Sequence, residues 1–307
     1  MSVETLTIVE EDSGRRLDRW LRARRPELSF AAAQKLCRTG QVRVDGKRAK
    51  PDQRLEQGQA VRLPPRRPPE ARAEAPEPSP PKIDPALAED LIARVIRRDD
   101  SLLAIDKPAG LAVQGGDGVD AHVDGLLDAM LFDAAERPRL VHRLDRDTSG
   151  VLLLARDRAA ATALTRAFAD RTVEKTYWAI VVGGAPPRLS GVIDLPLARR
   201  GGPGGEKTVV DVDRGDEAVT RYRVLDSNRR AALLQLRPDT GRTHQLRVHC
   251  AAIDRPILGD GKYGGKAAFI GDAPPALRLH AQRLRLIHPD SGVTIEISAP
   301  PPPDFIA

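Results

Sequence analysis

The chain of 307 residues is long enough for two ordinary domains, and its 41% hydrophobic and 30% charged residues include no apolar run near the ~18 that a membrane span needs, so no membrane partner is expected. Its two cysteines, Cys37 and Cys250, are too few for a disulfide framework or a cysteine-built zinc site, and the opening MSVETLTIVEEDSG has neither a secretory nor a transit pattern, which makes a reducing cytoplasm the expected compartment. The formal net charge of +6 favours a polyanionic partner.

Most of that charge lies at the front. Through Leu63 there are 14 basic residues against 9 acidic ones, which accounts for five of the six excess positive charges. Leu17, Trp20 and Leu21 recur at helical spacing, and Ser29 can cap a second helix that runs through Ala33 and Leu36 to the Thr39-Gly40 stop. QVRVDGKRAK then alternates Val42 and Val44 before an Asp45-Gly46 turn, and QAVRL supplies a further short strand. The segments RRLDRWL, SFAAAQKLCRTGQVRVDGK and LEQGQAVRL, in this helix, helix, hairpin, strand order, resemble the S4 RNA-binding module. Arg15, Arg16, Arg19, Lys35, Arg38, Lys47 and Arg48 are its candidate RNA contacts, against the plainer reading of a basic but functionally neutral cap. From Pro64 the composition turns to proline, alanine and charge, which cannot bury a core. The expected organisation is an RNA-binding domain over 1–63, a linker over 64–88 and a catalytic domain over 89–307.

Strands dominate the large domain. VIRRDDSLLAIDK predicts two strands about Asp99-Asp100, VLLLA a buried strand, TYWAIVV another, and TRYRVLDSNRRAALLQLRP a hairpin. Helices are predicted over AHVDGLLDAMLFDA, RAAATALTRAFADR and the stretch from Thr243 to Ala252, and RRGGPGGEKT reads as a flexible loop. The predicted fold class is α+β: a mixed, mostly antiparallel β-sheet with peripheral helices, preceded by the small αβ domain.

Several chemistries are disfavoured by pattern. Glu206 separates Gly205 from Lys207, so the glycine-rich loop is not a phosphate-binding Walker loop. None of the six histidines falls in an HExxH pattern, and the His244/His249 spacing does not suit a shared metal; no metal site is expected. Ser149 lies in TSGV and not in GxSxG, which removes the nucleophile-elbow argument. Two polar stretches remain. LVHRLDRDTSGVLLLAR (140–156) inserts a charged turn between apolar runs, and Asp145 flanked by Arg143 and Arg146 reads either as a displayed functional carboxylate or as an ordinary surface ion-pair cluster. DTGRTHQLRVH (239–249) follows a strand and opens a helix, where Arg242 and free backbone N–H groups can hold phosphate, with Arg247 about one turn on.

With KPAGLAV before them, EKTYWAIV between and PILGDGKYG after, these motifs are similar, in order, to the RluA-type pseudouridine synthases. Within that family the S4 module, the charged tether, KPAGLAVQGGDG and LVHRLDRDTSGVLLLA most resemble the type C branch that acts on large-subunit ribosomal RNA. The resemblance implies that Asp145 is the catalytic aspartate, Tyr177 the ring-contacting tyrosine and Arg247 the ion-pair partner of the aspartate. Arg143 would enter the RNA stack as the base leaves, with Leu246 supporting the active site. The implied reaction is isomerisation of uridine to pseudouridine in 23S ribosomal RNA. No atom is gained or lost, so no cofactor is needed, nucleotide cofactors included, and a monomer is expected. The alternatives are a noncatalytic S4-type assembly factor, or the same chemistry on transfer RNA or other ribosomal sites. The sequence departs from the family pattern at Asp45, where the S4 turn commonly carries asparagine, and at Gln114, where histidine is frequent.

Overall fold

The computed structural model describes residues 4–28, 30–65, 84–116, 119, 121–201, 206–271, 276–303 and 305; the predicted cap Ser29 lies outside them. The chain divides into two compact units, residues 1–78 and 79–307.

The small unit contains strands β1 (Glu4–Thr7), β2 (Arg43–Val44), β3 (Lys47–Arg48) and β4 (Ala60–Leu63) in an antiparallel sheet ordered β1-β4-β2-β3, with helices α1 (Leu17–Arg24) and α2 (Phe30–Arg38). The i, i+3, i+4 stripe of α1 works as predicted: Leu17, Trp20 and Leu21 are buried with Ile8, Cys37, Val42, Val44 and Val61. Two buried carboxylates organise the basic residues around it. Asp12 accepts the Trp20 indole N–H at 2.9 Å and pairs with Arg15 and Arg24, while Asp18 takes a two-pronged bond from Arg16 at 3.2 and 2.7 Å. Arg15 and Arg16, expected as RNA contacts, also make ion pairs that hold α1. Arg19, Lys35, Arg38, Lys47 and Arg48 are exposed and make no ion pair with a described residue. The unpredicted β1 is a four-residue edge strand, too short for its alternation to register.

In the large unit, α3 (Pro85–Ala93) starts where linker was expected. Asp84 caps it by accepting the Ala86 N–H, Pro85 opens it, and Ala88 and Leu91 are buried. The expected linker limit at residue 88 thus falls inside a packed helix. Ten strands form the main sheet: β5 (Val95–Arg98), β6 (Leu102–Lys107), β7 (Arg139–Leu140), β8 (Ser149–Ala155), β9 (Glu174–Val182), β10 (Ser190–Asp194), and, beyond the hairpin described next, β13 (Val219–Ser227), β14 (Ala231–Pro238), β15 (Leu279–Ile287) and β16 (Thr294–Ser298). The order is β10-β13-β14-β9-β15-β8-β6-β5, with β7 beside β8 and β16 beside β15. Only the β8–β15 pairing is parallel, so the sheet is mixed and mostly antiparallel, as predicted. The apolar run of β8 is buried along its whole length. Gly150 sits there with φ +107°, and a Cβ on it would collide with the Ala281 backbone.

Three local expectations change. The glycine-rich segment expected to be a flexible loop has paired ends: β11 (Leu197–Arg200) and β12 (Lys207–Val210) form a hairpin with Arg199 opposite Thr208. The helix predicted over 121–134 shrinks to α4 (Val123–Leu126) and a 3-10 turn (Leu127–Met130), although Val123, Leu126, Leu127 and Met130 keep the helical spacing and are buried in the core. The helix expected from Thr243 starts two residues later. Helix α5 (Arg158–Ala169) matches its prediction, capped by Asp157, and α6 spans Gln245–Ala252. No helix among the described residues is long and apolar enough to cross a membrane.

Candidate active site

The charged turn of residues 141–148 joins β7 to β8 and is fastened from three directions. His142 Nε2 accepts the Leu153 N–H at 2.8 Å and its ring stacks on Phe168 with centroids 4.4 Å apart; burial pushes its pKa down to about 3, which keeps it a neutral acceptor. At the end of β6, the fully buried Lys107 donates to the carbonyls of Pro108 and Leu111 at 2.8 Å and of Arg146 at 3.0 Å. Burial pushes its pKa down to about 8, against the pull of Asp147, Asp145 and Asp106. Gly110 and Arg146 add a reciprocal pair of 2.9 Å bonds, Gly110 N–H to the Arg146 carbonyl and Arg146 Nε to the Gly110 carbonyl. Thr148 N–H closes the turn on the Asp145 carbonyl. The Asp145 side chain, 27% exposed, is thus presented on a braced turn.

Asp145 borders two clefts, of about 470 and 520 Å³, that share Arg143, Leu144, Asp145, His244 and Arg247 in their walls. The first also contains Tyr177, Lys175, Thr148, Leu246 and Arg242, so every candidate named in the catalytic domain meets in one place. Tyr177 and Lys175 are two residues apart on β9 and share its cavity side. The Tyr177 phenol is pushed above its ordinary range, first by burial and then by the Asp145 charge, while the Lys175 ammonium is pushed down by burial and the neighbouring Arg171. Thr148 is buried, and its hydroxyl has no hydrogen-bond partner among the described residues.

Arg247 differs from expectation. Its guanidinium makes a two-pronged pair with Asp260, Nε to Oδ2 at 2.8 Å and Nη2 to Oδ1 at 2.7 Å, with side chains only 9% and 1% exposed. It faces the clefts that Asp145 borders, but no direct pair within 4 Å joins the two. Among the described residues, the titratable group recorded within 4 Å of the Asp145 carboxylate is His244, with Nε2 3.8 Å from Oδ2. Arg242 also differs: its Nε donates to the Glu217 carbonyl and its N–H is taken by the Gln245 side chain. That backbone group is therefore not free for phosphate. Sequence reasoning missed Lys107, Lys175, His244, Asp260 and Tyr263 as site residues. Each stands in one of the motifs quoted above, yet lone lysines, aspartates and tyrosines carry no pattern that separates brace from surface. Among the described residues no three His, Cys, Asp or Glu side chains are grouped to hold a metal ion.

A mixed sheet that displays an aspartate on a turn beside a buried tyrosine and a paired arginine defines a class: residues 101–252 match the RNA pseudouridylate synthase family and residues 15–61 match the S4 domain. The chain belongs to that family, and it is an enzyme that isomerises uridine in RNA to pseudouridine. Similar proteins include the ribosomal large subunit pseudouridine synthases C of Vibrio cholerae, 36% identical over 97% of this chain and 93% of that protein, and of Pasteurella multocida, 35% identical over 99% and 92%. Among solved structures, human RNA pseudouridylate synthase domain containing 4 is similar, with a TM-score of 0.61 and 33% identity over 72% of this chain and 93% of that one. Human RNA pseudouridylate synthase domain containing 1 is also similar, with a TM-score of 0.58 and 28% identity over 70% of this chain and 85% of that one.

Proposed function

We propose that this enzyme converts specific uridines of large-subunit ribosomal RNA to pseudouridine in the cytoplasm. The reading rests on the braced Asp145 at the junction of two clefts, with Tyr177 and Arg247 in the same walls, and on the similarity to large-subunit synthases over nearly the whole chain. In the reaction the C1′–N1 bond breaks, the uracil turns, C5 bonds to C1′, and the proton lost from C5 is balanced by one gained at N1. Atoms and electrons are conserved, so side chains suffice. Asp145 acts on the sugar as an anion, either by attack at C1′ or by removal of the 2′-proton. Tyr177 stacks on the detached base, with its hydroxyl near the C5 proton. Arg247, locked by Asp260, contributes fixed positive charge where the uracil anion forms. Arg143, exposed at the rim, fills the RNA stack as the uridine is flipped out, and Leu246 backs the base pocket. Arg242 stands near the RNA backbone. All these groups come from one chain, so a monomer suffices. Arg19, Lys35, Arg38, Lys47 and Arg48 of the S4 unit hold phosphates.

The test is a pseudouridine map of RNA by carbodiimide-stop primer extension in cells with and without the gene. Stops in large-subunit RNA disappear with the gene if the proposal holds. Loss of stops only in transfer RNA refutes the substrate, and no lost stop at all supports a noncatalytic assembly factor.

A further inference from the structure

The PILGDGKYG motif has so far contributed only Asp260. Its turn does more. Asp260 Oδ1 also accepts the Tyr263 N–H at 3.2 Å, which fixes Tyr263 relative to the Arg247 pair. The Tyr263 hydroxyl then lies 2.6 Å from His244 Nδ1. His244 precedes α6 in a left-handed conformation, φ +54°, that non-glycine residues seldom adopt, asparagine, aspartate and histidine more readily than the rest. This backbone turns its ring into both clefts, where Nε2 stands 3.8 Å from Asp145 Oδ2.

One tautomer satisfies the recorded hydrogen bonds together. Thr208 N–H donates to the Tyr263 oxygen at 3.4 Å, and the phenol hydrogen is assigned to His244 Nδ1, 2.6 Å away. In the neutral ring the proton is then on Nε2, facing the carboxylate. We propose that His244 is a positioning residue for the reaction: Tyr263 sets its tautomer so that Nε2–H faces Asp145 Oδ2 and holds that carboxylate with its other oxygen toward the sugar. The proposal rests on the reading of Asp145 as the catalytic anion. Burial pushes the His244 pKa below its ordinary value, opposed by Asp145 and Asp260 and reinforced by Arg247 and Lys262, so the ring is neutral at neutral pH. Arg143 is the other charged side chain in the shared walls, and Lys207 lies 5.3 Å from the Tyr263 ring centre.

The experiment compares wild type, His244→Asn, Tyr263→Phe, the double variant and Asp145→Asn in the full chain. Asparagine accepts the left-handed backbone and is too short to reach Asp145. Single-turnover rates on an RNA substrate are measured from about pH 3.5 to 8.5, across the carboxylate and histidine ranges, with RNA affinity and thermal melting alongside. His244→Asn should lose roughly ten- to a hundredfold in rate at near-unchanged affinity and melting. The acid limb of its rate profile should move to higher pH, because the ionised carboxylate has lost its donor. Tyr263→Phe should be slowed less, and the double variant should be no slower than His244→Asn, because the two residues act through one contact with the carboxylate, the Nε2 edge of His244. Asp145→Asn should be inactive. A wild-type rate in His244→Asn, an unmoved acid limb, additive losses, or a loss confined to affinity overturns the proposal while an inactive Asp145→Asn leaves the role of Asp145 standing. An active Asp145→Asn overturns both. If Tyr263→Phe fails to fold, the rate and pH profile of His244→Asn decide.

Discussion

Replacing Lys107 by methionine tests whether the turn bearing Asp145 is held by one buried ammonium. The methionine keeps the apolar stem and removes the donor to three carbonyls. Arg146 O keeps the Gly110 N–H, but the carbonyls of Pro108 and Leu111 are left without a replacement, at about 1–3 kcal/mol each. A loss of about 2–6 kcal/mol in urea unfolding follows. The pH dependence has a definite sign. The folded pKa of about 8 lies below the ordinary 10.5, so burial disfavours the protonated form. Between those values the unfolded chain keeps a proton that the folded chain has released, and wild-type stability gains as pH rises through this window. The full gain is about 3 kcal/mol, and Lys107→Met cannot show it. The stability gap between the two proteins should therefore widen from pH 8 to 10.5. A turn displaced by about 1 Å should also cost roughly a hundredfold in single-turnover rate. A flat gap together with an undiminished rate would refute the brace.

Three further outcomes are expected. Tyr177→Phe keeps the stacking face and loses the hydroxyl, so tritium release from C5 of labelled uridine should slow in single turnover far more than RNA affinity falls; equal rates would leave stacking alone as its role. Asp260→Ala strands the Arg247 guanidinium at about 3–5 kcal/mol in urea unfolding, and adding Arg247→Met should restore part of that stability, whereas additive losses would show the pair is not a unit. Changing Arg19, Lys35, Arg38, Lys47 and Arg48 to glutamine should flatten the log-affinity against log-salt slope by about 0.7–0.9 for each phosphate no longer neutralised, while Arg16→Gln should lower stability by leaving the buried Asp18 without its ion-pair partner. An unchanged slope would remove the S4 unit from RNA binding.

The parts of the fold legible in the sequence are those in which periodicity and burial coincide. The VLLLA run is buried on both faces and becomes the central β8, and the Leu17, Trp20, Leu21 stripe becomes the inner face of α1. Where tertiary pairing decides, sequence is a poor guide. The ends of the glycine-rich loop pair because Leu197 and Val210 meet across a hairpin, and Pro85 opens a helix only because Ala88 and Leu91 find a core to enter. In the site, the residues Asp145, Tyr177, Leu246 and Arg247 come together as the motifs imply. The pairing of Arg247 was not legible. Its carboxylate is 13 residues away across an irregular turn, and no spacing rule distinguishes Asp260 from Asp145 as the partner. The same holds for Arg15 and Arg16, whose pairing with the buried Asp12 and Asp18 no spacing rule marks.

The central claim is that the Asp145 anion carries out the chemistry while other side chains hold the RNA. Asp145→Asn keeps the size and hydrogen-bonding shape of the side chain and removes its charge. Single-turnover pseudouridine formation on a large-subunit RNA fragment, measured together with binding of the same fragment, tests this directly. The account predicts no detectable product with affinity close to wild type. Product formation at more than a small fraction of the wild-type rate by a folded Asp145→Asn protein would contradict it.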